Sequence, residues 1–95
     1  MSEAKIVAAE VKLAKPVQAH GEPVDTLRFR EPTGADIAKV GFPMSFGADG
    51  SATFDGPKMS AMMAALADVP PSTIKALSAR DWVACAAVLG PFFGD

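Results

Sequence analysis

The chain has one cysteine, one histidine, one tryptophan and no tyrosine. A lone thiol excludes an internal disulfide. Cys85 sits in an apolar run that favours a buried, inert side chain and fits a reducing compartment. The single histidine, His20, has no Cys or Asp nearby at zinc-ligand spacing, and although it could in principle act as base to Cys85, an apolar helix is a poor place for an activated thiolate. His20 stands next to Gly21 between two strand patterns, where an exposed loop position is expected. The glycines are scattered, and none leads into a Lys-Ser or Lys-Thr pair, so no phosphate loop is implied. Nor is one charge in excess. Nine basic and eleven acidic residues leave −2, without the basic stripe that duplex nucleic acid requires. The longest apolar stretch, Trp82 to Phe93, is interrupted by Gly90 and Pro91 and is shorter than the roughly 17–25 residues that cross a bilayer. The opening residues, Met1-Ser2-Glu3-Ala4-Lys5, carry no basic-then-apolar leader pattern. The composition thus predicts a soluble chain with no metal, no cofactor and no membrane partner. Glu31 and Asp36 read as strand-end charge and helix cap rather than as paired catalytic carboxylates, and no enzymatic activity is expected.

What the sequence does contain is enough apolar material for one modest core. Of 95 residues, 49% are hydrophobic and 21% charged, which predicts a single small domain rather than disorder. Val7, Ala9, Val11 and Leu13 share one parity, with Glu10 and Lys12 on the other, so a half-buried strand is expected. Leu27 and Phe29 alternate with Arg28 and Arg30 in a second strand over about Val24 to Arg30. Gln18 to Glu22 reads as the connecting loop, with Gly21 free to take positive φ. That loop sets Leu13 opposite Leu27, Val11 opposite Phe29, Glu10 opposite Arg30 and Lys15 opposite Asp25, at the cost of Lys12 facing Arg28.

Helical signals follow. Pro32 ends the second strand, and Thr33 with Asp36 three residues on reads as a capped helix start. This first helix extends to Val40, stops at Gly41 and is expected to bury Ile37 and Val40. Asp55 is the expected cap of a second helix, with Pro57 in its first turn and Phe54 and Met59 spaced as a hydrophobic staple. Met59, Met62, Met63 and Leu66 lie at i, i+3, i+4, i+7 and form one apolar stripe. Pro70 closes that helix, Pro71 opens a short third one, and Ser78 with Asp81 reads as a capping-box variant at the start of a fourth. Leu77 and Trp82 are spaced as a second staple, and Gly90-Pro91 is the expected stop. The predicted fold is therefore α+β: an N-terminal antiparallel β-hairpin followed by three to four short helices. Its expected parts are a frayed tail at 1–5, the hairpin at 6–30, a helix at 33–40, a mobile loop at 42–54 and a helical part at 55–90.

Without catalytic groupings, binding is the remaining role. Core packing is the ordinary role of such a methionine stripe, yet it also has the adaptability of promiscuous binding surfaces, and Phe92-Phe93 is either a second sticky element or a tail tucked on the core. The candidate partner-binding residues are Met59, Met62, Met63, Leu66, Trp82, Phe92 and Phe93. Self-association into a homo-oligomer is compatible with such surfaces.

Leu27 to Ile37 reads Leu-Arg-Phe-Arg-Glu-Pro-Thr-Gly-Ala-Asp-Ile and follows Leu13-Ala14-Lys15-Pro16-Val17 and the His20-Gly21 loop. This arrangement resembles the tail assembly chaperone family of Mu-like and other contractile- or long-tailed phages. Those proteins similarly show a Leu-x-Lys-Pro strand, a second strand ending in Arg-Glu-Pro-Thr-x-x-Asp, and then helices. Leu77-Ser78-Ala79-Arg80-Asp81-Trp82 resembles their late helix start. The resemblance implies a non-enzymatic phage or prophage protein of the host cytoplasm. Such a protein keeps the tape measure protein soluble while tail tube subunits, a second candidate partner, assemble around it. A structural tail or neck subunit retained in the virion is the alternative.

Overall fold

A computed structural model describes residues 7–94. The tail expected over 1–5 lies outside the described residues.

Two strands, β1 (Ala9–Ala19) and β2 (Glu22–Phe29), pair antiparallel. Only His20 and Gly21 separate them, with φ of 54° and 81°. Positive φ at both central positions is the requirement of a type I′ turn, whose twist matches that of the strands. The five-residue loop expected from the sequence is replaced by this tighter turn, and Gln18 and Ala19 pair with Pro23 and Glu22.

The expected register is corrected as well. Ala9 lies opposite Phe29, Glu10 opposite Arg28 and Val11 opposite Leu27. Arg28 therefore does not face Lys12. Its Nε donates to Glu10 Oε2 at 2.9 Å instead. Near the turn the pairing follows a different offset, with Val17 opposite Val24. Between Lys12–Thr26 and Val17–Val24, residues 13–16 of β1 stand against Asp25 alone, which makes a bulge. Pro16, without an N–H, lies within it. β1 keeps its parity through the bulge, so Val11, Leu13, Val17 and Ala19 all face inward, and the odd change of offset is taken up on β2, where the half-buried Val24 lies out of step with Leu27 and Phe29.

Helix α1 (Gly34–Val40) starts at Thr33 as expected, with both bonds of a capping box present. The residue it buries is Asp36, whereas Ile37 and Val40 are half-buried at the core's edge. Residues 42–54, expected to be a mobile loop, contain a second hairpin of β3 (Met44–Phe46) and β4 (Ala52–Phe54), with Met44 opposite Phe54 and Phe46 opposite Ala52. Its turn is held by the Asp49 carboxylate, which accepts the Ser51 N–H at 3.0 Å.

Helix α2 (Gly56–Ala67) has the expected Asp55 cap, Oδ1 accepting the Lys58 N–H at 3.0 Å. Helices α3 (Pro71–Lys75) and α4 (Ala79–Leu89) follow. Gly90 is the stop expected for the fourth helix. It keeps helical dihedrals, φ −49° and ψ −47°, and Pro91 opens a further turn, α5 (Pro91–Gly94). A side chain at Gly90 would meet the Phe54 ring at 3.4 Å and the Ala86 carbonyl at 3.3 Å, so the bare backbone lets Phe54 pack there.

The core lies between the apolar face of the β1–β2 hairpin and the helices. Helix α2 covers β2 and helix α4 covers β1, with Ile74 of α3 filling the far end. Hydrogen bonds fasten the layers. Arg30 N–H donates to the Leu66 carbonyl (3.1 Å), His20 Nε2 contacts the Asp68 carbonyl (3.0 Å), and Thr73 Oγ1 donates to the Gln18 carbonyl (2.6 Å). The first two occupy carbonyls at the C-terminal end of α2 that the helix itself leaves unpaired.

Candidate binding groove

The seven residues singled out from the sequence separate into three places. Met59, Met62 and Met63 are 0% exposed and Leu66 is 2% exposed. They pack on Leu13, Leu27 and Phe29 in the core, so the stripe is not a surface open to a partner. An i, i+3, i+4, i+7 pattern marks the face that a helix buries, and the apolar side of the hairpin is what it is buried against. Phe92 and Phe93 sit in α5. Phe92 is exposed, while Phe93 is half-buried with its ring edge on Phe42, centroids 5.8 Å apart.

Trp82 belongs to the third place. It lies in the first turn of α4, half-buried, and its indole Nε1 donates to Ser60 Oγ of α2 at 2.8 Å. This bond bridges the two helices at one side of an apolar groove of about 720 Å³. Pro57, Ser60 and Ala61 of α2 form one wall, and Ile74, Leu77 and Trp82 form the other. The walls expose the side of α2 opposite its methionines. Lys75, exposed on α3, is the one charged side chain in the lining. Sequence reasoning found Trp82 and missed the groove. The available signal was the cluster of small residues on the second face of α2, with prolines at the first turns of α2 and α3.

The segments that carry the family resemblance have structural duties. Arg30 forks onto Asp36, Nη1 to Oδ2 at 2.7 Å and Nη2 to Oδ1 at 2.8 Å, while the Thr33 N–H donates to Oδ2 at 2.8 Å. The Arg30 bond above all holds the Asp36 carboxyl well below the usual carboxylate range, against the opposing effect of burial. This arrangement clamps the end of β2 to the start of α1. At the other end of the chain, Ser78 Oγ accepts the Asp81 N–H at 3.2 Å, as a cap should. The Asp81 carboxylate does not complete the expected box. It reaches β1, where it accepts the Ala14 N–H at 2.9 Å and the Lys15 N–H at 3.1 Å. These are donors that the bulge takes out of the strand ladder. The Ala14 bond is the main cause of a lowered Asp81 pKa. The Leu13–Val17 and Leu77–Trp82 segments, remote in sequence, are therefore one contact in space.

Cys85 is buried in α4, and burial, with a smaller contribution from Asp81, pushes its thiol up to about 11. Among the described residues no group of three or more His, Cys, Asp or Glu side chains is placed to hold a metal ion. No helix among them is long and apolar enough to cross a membrane.

The family of phage tail assembly chaperone proteins, described as E, or 41 or 14, matches residues 10–94. The chain belongs to that family. No curated protein and no solved structure matches it.

Proposed function

We propose that this chain keeps the tape measure protein of a phage tail soluble in the host cytoplasm until tail tube subunits assemble around it, and that it does so without catalysis. Family membership supports the role in tail assembly. The observation that carries the binding mode is the open apolar groove between α2, α3 and the first turn of α4. Long helical proteins present amphipathic stripes that aggregate when unpaired, and a groove walled by helices is a recurring receptor for one such stripe. The groove takes over the contact role that the sequence suggested for the methionines.

Co-expression with the tape measure protein of the same phage tests this. The expected outcome is that the tape measure protein is soluble only in the presence of this chain and co-purifies with it. Failure to associate, together with recovery of the chain from purified particles, would replace the proposal with a structural tail or neck subunit.

A further inference from the structure

We infer that the groove receives one face of an amphipathic helix that carries an acidic residue beside its apolar stripe, with Lys75 as the residue that recognises the acid. This rests on the chaperone reading and specifies which segments of the tape measure protein the chain would hold.

The wall chemistry selects a helix. Pro57 and Pro71 at the groove have no N–H to offer. Two of the polar side chains nearby spend their N–H or O–H inside the protein, Trp82 Nε1 on Ser60 Oγ and Thr73 Oγ1 on the Gln18 carbonyl, which leaves the Ser60 hydroxyl as a side-chain donor in the wall. An extended segment entering here would leave most of its own N–H and C=O groups facing apolar side chains without partners. A helix brings those groups already paired and has only side chains to bury.

Charge then narrows the helix. Lys75 takes part in neither ion pair formed among the described residues, Arg28–Glu10 and Arg30–Asp36. Asp55, the N-cap of α2, accepts the Lys58 N–H and belongs to neither of those ion pairs. An unpaired cation at the mouth of an apolar cleft is complementary to an acid flanking an apolar stripe. A second copy of this chain is a poorer match. Its exposed apolar helix face, Val83 and Ala87 of α4, carries Arg80 one turn away, a like charge for Lys75.

Trp82 is the single tryptophan and lies in the groove wall, so its emission reports occupancy. Overlapping synthetic peptides spanning the tape measure protein are titrated against the full chain and against Ala61→Glu, Lys75→Glu and Lys75→Arg, each first checked for an unchanged melting curve. Both positions are exposed, so folded variants are expected. Binding peptides should shift the Trp82 emission to the blue and share an acid next to a Leu/Ile stripe. Lys75→Glu should weaken them about fivefold, more at low salt, and Lys75→Arg should retain binding. Ala61→Glu, which puts a charge on the apolar wall, should weaken them by at least about tenfold. Binding that leaves the emission unchanged, or that is indifferent to Ala61→Glu and Lys75→Glu, overturns the inference. So does dimerisation of the unaltered chain that Ala61→Glu abolishes, which would make a second copy the occupant. In the co-expression assay, variants that still solubilise the tape measure protein would remove the groove and leave the chaperone reading standing. An unaltered chain that fails to solubilise it removes both.

Discussion

The Asp81 carboxylate and the Ala14 N–H meet across 2.9 Å and join residues 67 positions apart. Lys15 shares the same carboxylate at 3.1 Å. One side chain thus satisfies two donors that the β1 bulge exposes, and it sits in the first turn of a helix, where negative charge is favoured. Replacing Asp81 with Ala leaves both N–H groups without their acceptor. The expected result is a clear drop in melting temperature and faster amide exchange at Ala14 and Lys15, with Asp81→Asn intermediate. Hydrogen exchange measured residue by residue checks the localisation.

Arg30 and Asp36 make the fold sensitive to acid. The Asp36 carboxyl has a lower pKa folded than unfolded, so it binds protons more readily once the chain opens. Its stabilising contribution is complete above the ordinary carboxylate value of about 4 and is lost as pH falls toward the folded value. Asp81, also lowered, acts in the same direction. Urea unfolding between pH 6 and 3 should show stability declining with acid. Arg30→Ala should cost roughly 1–3 kcal/mol at neutral pH and flatten that decline.

Met62 is a core residue, so its substitution should act on folding before it acts on binding. Met62→Ala is expected to destabilise by roughly 2–5 kcal/mol, and Met62→Glu should prevent folding by placing a charge among Met59, Met63 and Phe29. Circular dichroism separates these outcomes from loss of partner binding by a folded chain, which is what an exposed stripe would produce.

The Cys85 thiol, raised to about 11, is almost wholly protonated near neutral pH as well as being enclosed. It should react slowly with a thiol-specific chromogenic reagent at pH 8 and at the free-cysteine rate in denaturant. Rapid reaction of the folded chain would contradict the packing of α4 on the hairpin.

Local chemistry was legible in the sequence wherever cause and effect lie within four residues. Thr33 with Asp36, Asp55 with Pro57, and Ser78 all cap the helices that they announce. The inward parity of Val11, Leu13, Leu27 and Phe29 was equally plain, because each pair lies on one side of the bulge. The register did not emerge, since its offset depends on a two-residue turn at His20-Gly21 and on a carboxylate supplied from position 81. The methionine periodicity announced a helix without saying whether its stripe met solvent or the hairpin. The groove is assembled from the weakly patterned faces of three elements, and no single window of sequence contains it.

Three of the helix-borne side chains in this core are thioethers, Met59, Met62 and Met63, which carry a chemical liability that hydrocarbon side chains lack. Peroxide converts a methionine to its polar sulfoxide only where it can reach the sulfur. In the closed protein Met59, Met62 and Met63 are sealed, so their oxidation is limited by how often the hairpin lifts from α2. In purified protein, where no reductase reverses the sulfoxide, oxygen mass accumulates in proportion to the time the core spends open, and the fold carries its own chemical clock for how often it comes apart.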